Sequence, residues 1–546
     1  MTVAKVAHKL RTRTFVIVMV IGVLMVLIGA VAIPLGFKAL MDSILDQMMV
    51  ISPKSPIYPE WQDPTLPIYT RFYFFDLQNP DEVLQGAKPS VVEIGPYSYK
   101  MSLPRENITF NPNSTVTSIQ PYTYVFDRSQ SVGDENDTFM TTNMPFWSTA
   151  YFVRDAGSLI QFGLAAFMDL VGEKPFMPLT VNQLVWGYDE PLFEWVHQNV
   201  PEFPLPPGFE TQFGFLLGRN NTDLGVYTSF TGVEDKLLVN HIDKFNGRSN
   251  LTYWKSESAN MINGTDGMMY HMGIEEDEVL YLFHPDLCRS MPYTFVQDDV
   301  LEGVPLKMFG VAPWAYQNSS TYPLNKGFNI TTDDVPRGLM RVDPCRFETP
   351  IALSNPHFFD GDPSLAGGVD GLSPNADRHR NYFSIEPILG MPFKLRMRLQ
   401  INQYVQQVSG VWQTANVKTM YMPGFWFEED VTANEEVIGY YDTGIKLTGI
   451  IALVMQYLSI VIGASLIIAF LLVGLCKLVT KPKKSILSAD RDAVPPPVPD
   501  TSSYQPTSNT ETLHSASPKE LEEANAATYE SVHVYDNSIN LTEQSD

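Results

Sequence analysis

The chain has 546 residues, 44% hydrophobic and 12% aromatic, with a net charge of −24. That length supports a large core in one big domain or two or three smaller ones. Its acidity argues against nucleic acid or other polyanions bound through the overall field, and 41 Pro with 35 Gly punctuate it too heavily for long bundles, favouring short strands and turns.

The first 14 residues carry Lys5, Lys9, Arg11 and Arg13 and no acid. Residues 15–37, "FVIVMVIGVLMVLIGAVAIPLGF", are uncharged and long enough to cross a hydrocarbon core. The run exceeds the roughly 7–15 apolar residues of a signal peptide, so it reads as an uncleaved signal-anchor. Gly22, Gly29 and Gly36 recur every seven residues. Such a seam suits helix contact, including a homo-oligomer, though Gly is also common in membrane helices generally.

Past an amphipathic "KALMDSILDQMMV", short strands begin. "IYTRFYFFDL" and "SVVEIGPYSYKM" are aromatic and β-branched, with turn signals at "NPDE" and "GAKP" between them. Gly95-Pro96 inside the second run marks a bulge or an edge. Further on, Phe152, Ala156, Ile160, Leu164, Phe167 and Val171 recur at spacings of four or three. They predict one helix from Thr149 to Val171, ended by Gly172, with Arg154, Asp155, Ser158, Gln161 and Asp169 mostly off the stripe. Two readings stay open: a helix packed onto its own core, or a cap facing a ligand. From Phe393, "FKLRMRLQI" alternates, predicting a half-buried strand with Lys394, Arg396, Arg398 and Gln400 on a basic outer face.

Residues 447–476 form a second uncharged run, followed by Lys477, Lys481, Lys483 and Lys484. Basic flanks at both ends predict two cytosolic termini, with residues 38–446 outside or in a lumen. Sequons at Asn107, Asn113, Asn136, Asn220, Asn250, Asn263, Asn318 and Asn329 all fall between the spans, against roughly two or three expected by chance. A further sequon at Asn540 falls in the cytosolic tail and should be silent. Cys288 and Cys345 are the only cysteines between the spans, a natural pair in an oxidising compartment. Cys476, at the cytosolic end of the second span, reads equally as a palmitoylation site or a plain thiol. The tail, residues 477–546, is Pro-, Ser- and Thr-rich and is expected to be disordered. Within it "YESV", Tyr529 to Val532, matches the tyrosine-x-x-apolar sorting pattern, a match that chance also supplies.

No HExxH, GxSxG, P-loop or helix-opening GxGxxG occurs. His197, His241, His271, His284, His357 and His379 are scattered, and "DRHRN" around His379 reads as a solvated turn. The expectation is a protein that is not an enzyme, with no catalytic residue, cofactor or metal.

A set of ordered stretches carries more. "GAKPSVVEIGPYSY" from Gly86, "LVWGYDEPL" from Leu184, "NMINGTDG" from Asn260, "CRSM" from Cys288, "GVPLKMF" from Gly303, "CRFETPIALSNPHFF" from Cys345, "VDGLSPN" from Val369 and "IEPILGMPFKLRMRLQIN" from Ile385 resemble the class B scavenger receptor family. They span nearly the whole region between the spans. "VGEKPFMPLTVNQLVWGY" and "STYPLNKGF" look most like its type I lipoprotein-receptor branch. The resemblance implies an α+β fold: an antiparallel β-barrel core with an apical helical bundle and an internal hydrophobic tunnel, anchored by two transmembrane helices. It makes residues 149–200 part of the cap, with Phe152, Ile160, Leu164, Phe167 and Lys174 as candidate ligand-facing residues. Lys174 lies beside Glu173 and Asp169, so no strong polyanion site is expected there. Ala259 and "GFNITT" stand where the family often carries cysteines, leaving the pair carried over onto Cys288 and Cys345.

The implied function is a receptor at the plasma membrane or endosome-lysosome membrane. It would bind lipoprotein-like particles and pass hydrophobic cargo (cholesterol, cholesteryl ester, fatty acids, phospholipid) through the tunnel. Two alternatives stand beside it: a lysosomal carrier that binds a hydrolase through its cap, and an adhesion or phagocytic receptor.

Overall fold

A computed structural model describes residues 2–194, 211–329 and 335–479. The strands, in chain order, begin with β1 (Ile68–Leu77), β2 (Val91–Ser102), β3 (Glu106–Phe110), β4 (Thr115–Phe126), β5 (Thr138–Thr142), β6 (Phe176–Thr180), β7 (Tyr188–Asp189), β8 (Gln212–Phe213) and β9 (Thr222–Phe230). They continue with β10 (Ile242–Phe245), β11 (Val279–His284), β12 (Arg289–Leu301), β13 (Val304–Val311), β14 (Met340–Arg341), β15 (Ile351–Ser354), β16 (Tyr382–Glu386), β17 (Met391–Val405) and β18 (Met420–Thr432). A 14-stranded antiparallel sheet runs β10-β9-β4-β2-β1-β18-β17-β16-β13-β12-β11, with β3, β14 and β15 attached at its sides. Its two ends are joined by Gly264 and Thr265. Ile242 N–H on β10 donates to the Gly264 carbonyl at 2.9 Å, and Phe283 N–H on β11 donates to the Thr265 carbonyl at 2.8 Å. The sheet is therefore nearly a closed barrel.

Alternation decides which side chains it encloses. On β1, Phe72 and Phe74 face inward opposite Phe427 and Phe425 of β18, which in turn stand opposite Leu399 and Ile401 of β17. Outward residues of the same strands pair by charge. Arg71 and Arg396 both contact Asp430, Arg398 reaches Glu428 at 2.5 Å, and Lys394 reaches Asp299 at 2.9 Å. The predicted strand at Phe393 is present, but its basic face is neutralised by acids on neighbouring strands, and Gln400 is buried. At Gly95-Pro96 the β1–β2 register shifts between Phe72 and Phe74. Gly95 sits there at φ +139°, where an added Cβ would lie 2.8 Å from the Phe72 carbonyl, so only glycine fits. Tyr97 and Tyr99 resume the strand facing the core.

The predicted helix at Thr149–Val171 is two helices, Met144–Phe152 and Ser158–Val171, broken at Val153–Gly157. Gln161 causes the difference. It is buried, its Nε2 donates to the carbonyls of Val153, Arg154 and Ala156, and its Oε1 accepts from Gly410 N–H. A polar side chain that the stripe had left outside thus caps the break. The buried face of the second helix is Gln161, Leu164, Ala165 and Met168. Gly172, left-handed at φ +81°, ends that helix.

Arg13–Met48 and Glu435–Cys476 are long and apolar enough to cross a membrane. They pack together closely: a Cβ on Gly22 would meet the Gly463 carbonyl at 2.9 Å, and one on Gly29 the Gln456 carbonyl at 2.8 Å. Ser459 Oγ donates to the Met25 carbonyl at 2.8 Å. Gly22 and Gly29 thus serve a contact within the chain, while Gly36 has nothing near it.

Candidate functional site

Inside the barrel lies a cavity of about 500 Å³. Its walls are mainly apolar, drawn from the inward faces of β1, β17 and β18, from Met144 of the Met144–Phe152 helix and from Phe215. One end is polar. Arg219 Nη2 donates to Asp286 Oδ1 at 3.1 Å, and Arg346 Nη2 donates to the same oxygen at 2.6 Å and to the Asp286 carbonyl at 2.8 Å. Asp286 N–H donates to His284 Nδ1 at 3.2 Å, and His284 Nε2 lies 3.4 Å from Tyr122 Oη. Burial opposes the Asp286 charge, but Arg346, His284 and Arg219 hold its carboxyl well below the usual range. Burial pushes His284 down from its ordinary value.

The local sequence explains this assembly. Cys288 and Cys345 are bonded to each other, with Cα atoms 6.3 Å apart. Asp286 and Arg346 are near neighbours of those cysteines, so the bridge clamps an acid-bearing turn to an arginine-bearing one.

Glu429 belongs to the same end. On β18 it continues the inward series Phe425, Phe427, and it stands opposite Thr70 on β1 and Met397 on β17. It lines the cavity and has no hydrogen-bond or ion-pair partner among the described residues. Burial, followed by the Asp286 charge, pushes its carboxyl up to about 7. Thr70 lies near the start of β1 and Glu429 near the end of β18, so the polar end sits where both strands lead toward the apolar spans.

A second buried polar group lies outside this cavity, and sequence reading missed it. His379, expected in a solvated turn, is fully buried and stacks on His357 with centroids 4.3 Å apart and planes at 8°. His357 Nε2 lies 2.5 Å from Glu93 Oε2, which also accepts from Trp426 Nε1 at 2.9 Å, while Glu93 Oε1 accepts from Arg378 at 2.9 Å. Both histidine Nδ1 atoms accept backbone N–H groups, from Ser373 and Asn375, at 3.0 Å. Burial opposes charge on Glu93, yet its hydrogen bonds hold it down at about 2. Burial and then the neighbouring His357 hold His379 at about 3. The ligand atoms of Glu93, His357 and His379 come within 4.8 Å of one another, close enough to hold a metal ion. Parallel stacked rings, however, direct their in-plane lone pairs side by side and not to one point, and the Glu93 oxygens already accept three donors. The arrangement suits a structural frame better than a metal centre.

Next to the two helices, Asn143 Nδ2 donates to Glu173 Oε2 at 2.6 Å, and Glu190 Oε1 accepts Leu192 N–H at 3.1 Å. Burial, then the Glu173 charge, pushes Glu190 up to about 8, and burial raises Glu173 as well.

None of the expected ligand-facing cap residues lines the barrel cavity. Leu164 is buried, Phe152 and Phe167 are half-buried, and Ile160 and Lys174 are exposed. Leu159, Phe162 and Leu170, which the stripe did not single out, are 87%, 52% and 82% exposed. They lie at helical spacing and form an outer apolar stripe with Ile160 beside it. Asn107, Asn113, Asn136, Asn220 and Asn250 are exposed, and Asn263, Asn318 and Asn329 are half-buried. Cys476 is exposed. Tyr529 and Val532 lie outside the described residues, as does the end of the expected cap, residues 195–200.

Sequence comparison adds the lineage. A family model described as "CD36 family" matches residues 20–474. The chain is 34% identical over 448 residues to Scavenger receptor class B member 1 of Sus scrofa, covering 82% of this chain and 86% of that protein. It is 33% identical over 423 residues to Lysosome membrane protein 2 of Homo sapiens, covering 76% and 85%.

Proposed function

The chain belongs to the CD36 family, and from that premise we propose that it is a non-enzymatic membrane receptor that binds lipid-rich particles and passes hydrophobic cargo through its barrel. The observation that carries this reading is the mainly apolar cavity of about 500 Å³ enclosed by the sheet. A sterol ester or acyl chain moving through water exposes apolar area at about 25 cal/mol per Å². An enclosed apolar volume removes that barrier without covalent chemistry. The outer stripe of Leu159, Phe162 and Leu170 supplies the apolar surface that a particle would meet first.

In this reading residues 1–14 and 477–546 are cytosolic, residues 15–37 and 447–476 span the bilayer, and residues 38–446 form the glycosylated ectodomain at the cell surface or in the endosome-lysosome system. Residues 149–200 contribute to its cap. Cells expressing the protein should take up labelled cholesteryl ester from particles faster than control cells, without degrading the particle. Uptake equal to the control overturns the proposal. Leu159→Asp with Phe162→Asp should cut particle binding while leaving the fold intact, because both side chains are exposed.

A second reading, a lysosomal carrier whose cap binds a hydrolase, is favoured by the Glu173–Glu190 pair, whose carboxyls burial raises above their ordinary values. It predicts co-purification of a hydrolase with the full-length protein at one pH and release at the other. A protein that purifies alone at both would count against it.

A further inference from the structure

The mainly apolar cavity ends in a group of charges whose hydrogen-bonding capacity is only partly used. Arg219 and Arg346 each engage Asp286 through Nη2 alone. Their other guanidinium N–H groups have no partner among the described residues, although both arginines line the cavity. A guanidinium offers several donors in a fixed fork that matches a carboxylate or similar anion. Asp286 neutralises one of the two cations. The remaining positive charge faces the void.

Glu429 is the other half of the arrangement. It is an inward-facing acid without a partner among the described residues, reached among charged groups by Asp286. Around it stand Tyr122 and Tyr124 from β4, Asp223 from β9 at the cavity rim, His284 from β11, Thr70 from β1 and Met397 from β17. Tyr124 lines the same cavity as Glu429, Asp286 and Arg219. With Glu429 ionised, Arg219 and Arg346 face three carboxylates of the lining, Asp223, Asp286 and Glu429, and an incoming anion meets excess negative charge. With Glu429 protonated, two carboxylates remain opposite the two arginines and that excess is removed. The apolar walls provide for a chain and the arginines for its head.

We propose that this end of the cavity is a head-group site for single-chain lipids with an anionic head, held by Arg219 and Arg346, and that its occupation is coupled to uptake of one proton by Glu429. The inference rests on the lipid-receptor reading above and adds to it a residue-level specificity. Neutral lipids of the same chain length enter the cavity without the proton coupling. Anionic ones bind more tightly in an acidic compartment and less tightly at the alkaline side of neutrality.

The test uses the full-length chain in detergent micelles and three C16 probes. Hexadecyl sulfonate keeps its charge throughout, palmitate is the natural-type carboxylate, and hexadecanol is neutral. Sulfonate affinity should rise about tenfold from pH 8 to pH 6, the change expected when binding requires protonation of one group titrating near 7. Hexadecanol affinity should stay flat. Glu429→Gln removes the charge with little change of shape and should give pH-independent sulfonate binding at the tight, low-pH level. Arg219→Gln should weaken sulfonate and palmitate about tenfold while sparing hexadecanol, with an unchanged melting temperature showing that the fold survives. If hexadecanol binds but sulfonate shows neither a pH slope nor sensitivity to Glu429→Gln and Arg219→Gln, the head-group site is wrong and the lipid-receptor reading stands. If none of the three probes binds, both fall.

Discussion

Two buried polar groups in this molecule look alike in composition and differ in what surrounds them. Around Glu93, the His357, Trp426 and Arg378 donors satisfy both carboxylate oxygens, and the histidine rings stack with no space between them. Around Glu429, no partner stands among the described residues and an apolar cavity opens in front. A buried carboxylate with every oxygen satisfied stabilises the state that satisfies it. One left alone in an apolar wall costs stability and persists where something outside the fold supplies the partner. The first group is a frame and the second is a site.

That contrast yields predictions of opposite sign. The largest effect should come from the clamp that assembles the polar end. Replacing both Cys288 and Cys345 by Ser removes a bridge closing 57 residues, which should cost about 4 kcal/mol by loop entropy, read by denaturant unfolding. It should also separate Asp286 from Arg346. Next, Glu93→Gln should destabilise by about 2–3 kcal/mol, because buried donors of His357 and Trp426 lose a charged acceptor. An unfolding midpoint equal to the parent's would place Glu93 outside the frame.

Glu429→Leu should move stability the other way. Its folded carboxyl is raised to about 7, so the state favoured by folding is the protonated one. Its contribution is fully present below the unfolded value near 4.5 and is lost as pH rises through 7. Removing it should therefore gain about 1–2 kcal/mol at pH 8 and almost nothing at pH 4.5. Loss of stability at pH 8 would show an unseen partner and erase the contrast.

The smallest effect concerns the shape of the pH profile. Glu190 is raised to about 8, so its part of the cap strengthens as pH falls from 8 toward 4.5. His379 is held at about 3, so its cluster weakens as pH falls from 6.5 toward 3, and Glu93, held at about 2, adds to that loss only below 4.5. Glu190→Gln should flatten the rise of the melting temperature between pH 8 and 5 by a few degrees, leaving the acid-side fall in place. An unaltered profile would mean that folding does not raise the Glu190 carboxyl.

Much of this molecule was legible in its sequence. The uncharged runs give the two candidate spans, because crossing hydrocarbon needs a fixed length of apolar helix. The alternation of "IYTRFYFFDL" and "FKLRMRLQI" gives β1 and β17, because a strand buried on one face repeats every second residue. The ordered family stretches give the barrel and the receptor class. The cap was read less well. Periodicity assigned Thr149–Val171 to one helix, since it counts apolar residues and has no means of weighing Gln161, whose amide holds the break by bonding the carbonyls of Val153, Arg154 and Ala156. His379 was misplaced for a related reason: a polar pentapeptide context reads as solvated unless its partners are known.

What the sequence by itself determined is local: spans, strand faces, and a cysteine pair alone between two membrane segments. Only the tertiary structure decided that Arg219, Asp286, Arg346 and Glu429 meet at one end of a cavity. Alternation states that Glu429 shares a face with Phe425 and Phe427, but whether that face encloses packed rings or an open volume depends on sheet closure and on strands hundreds of residues away. A carboxylate's role is set by which charges lie within a few ångströms of it. That proximity is a property of the closed barrel, not of any segment that builds it.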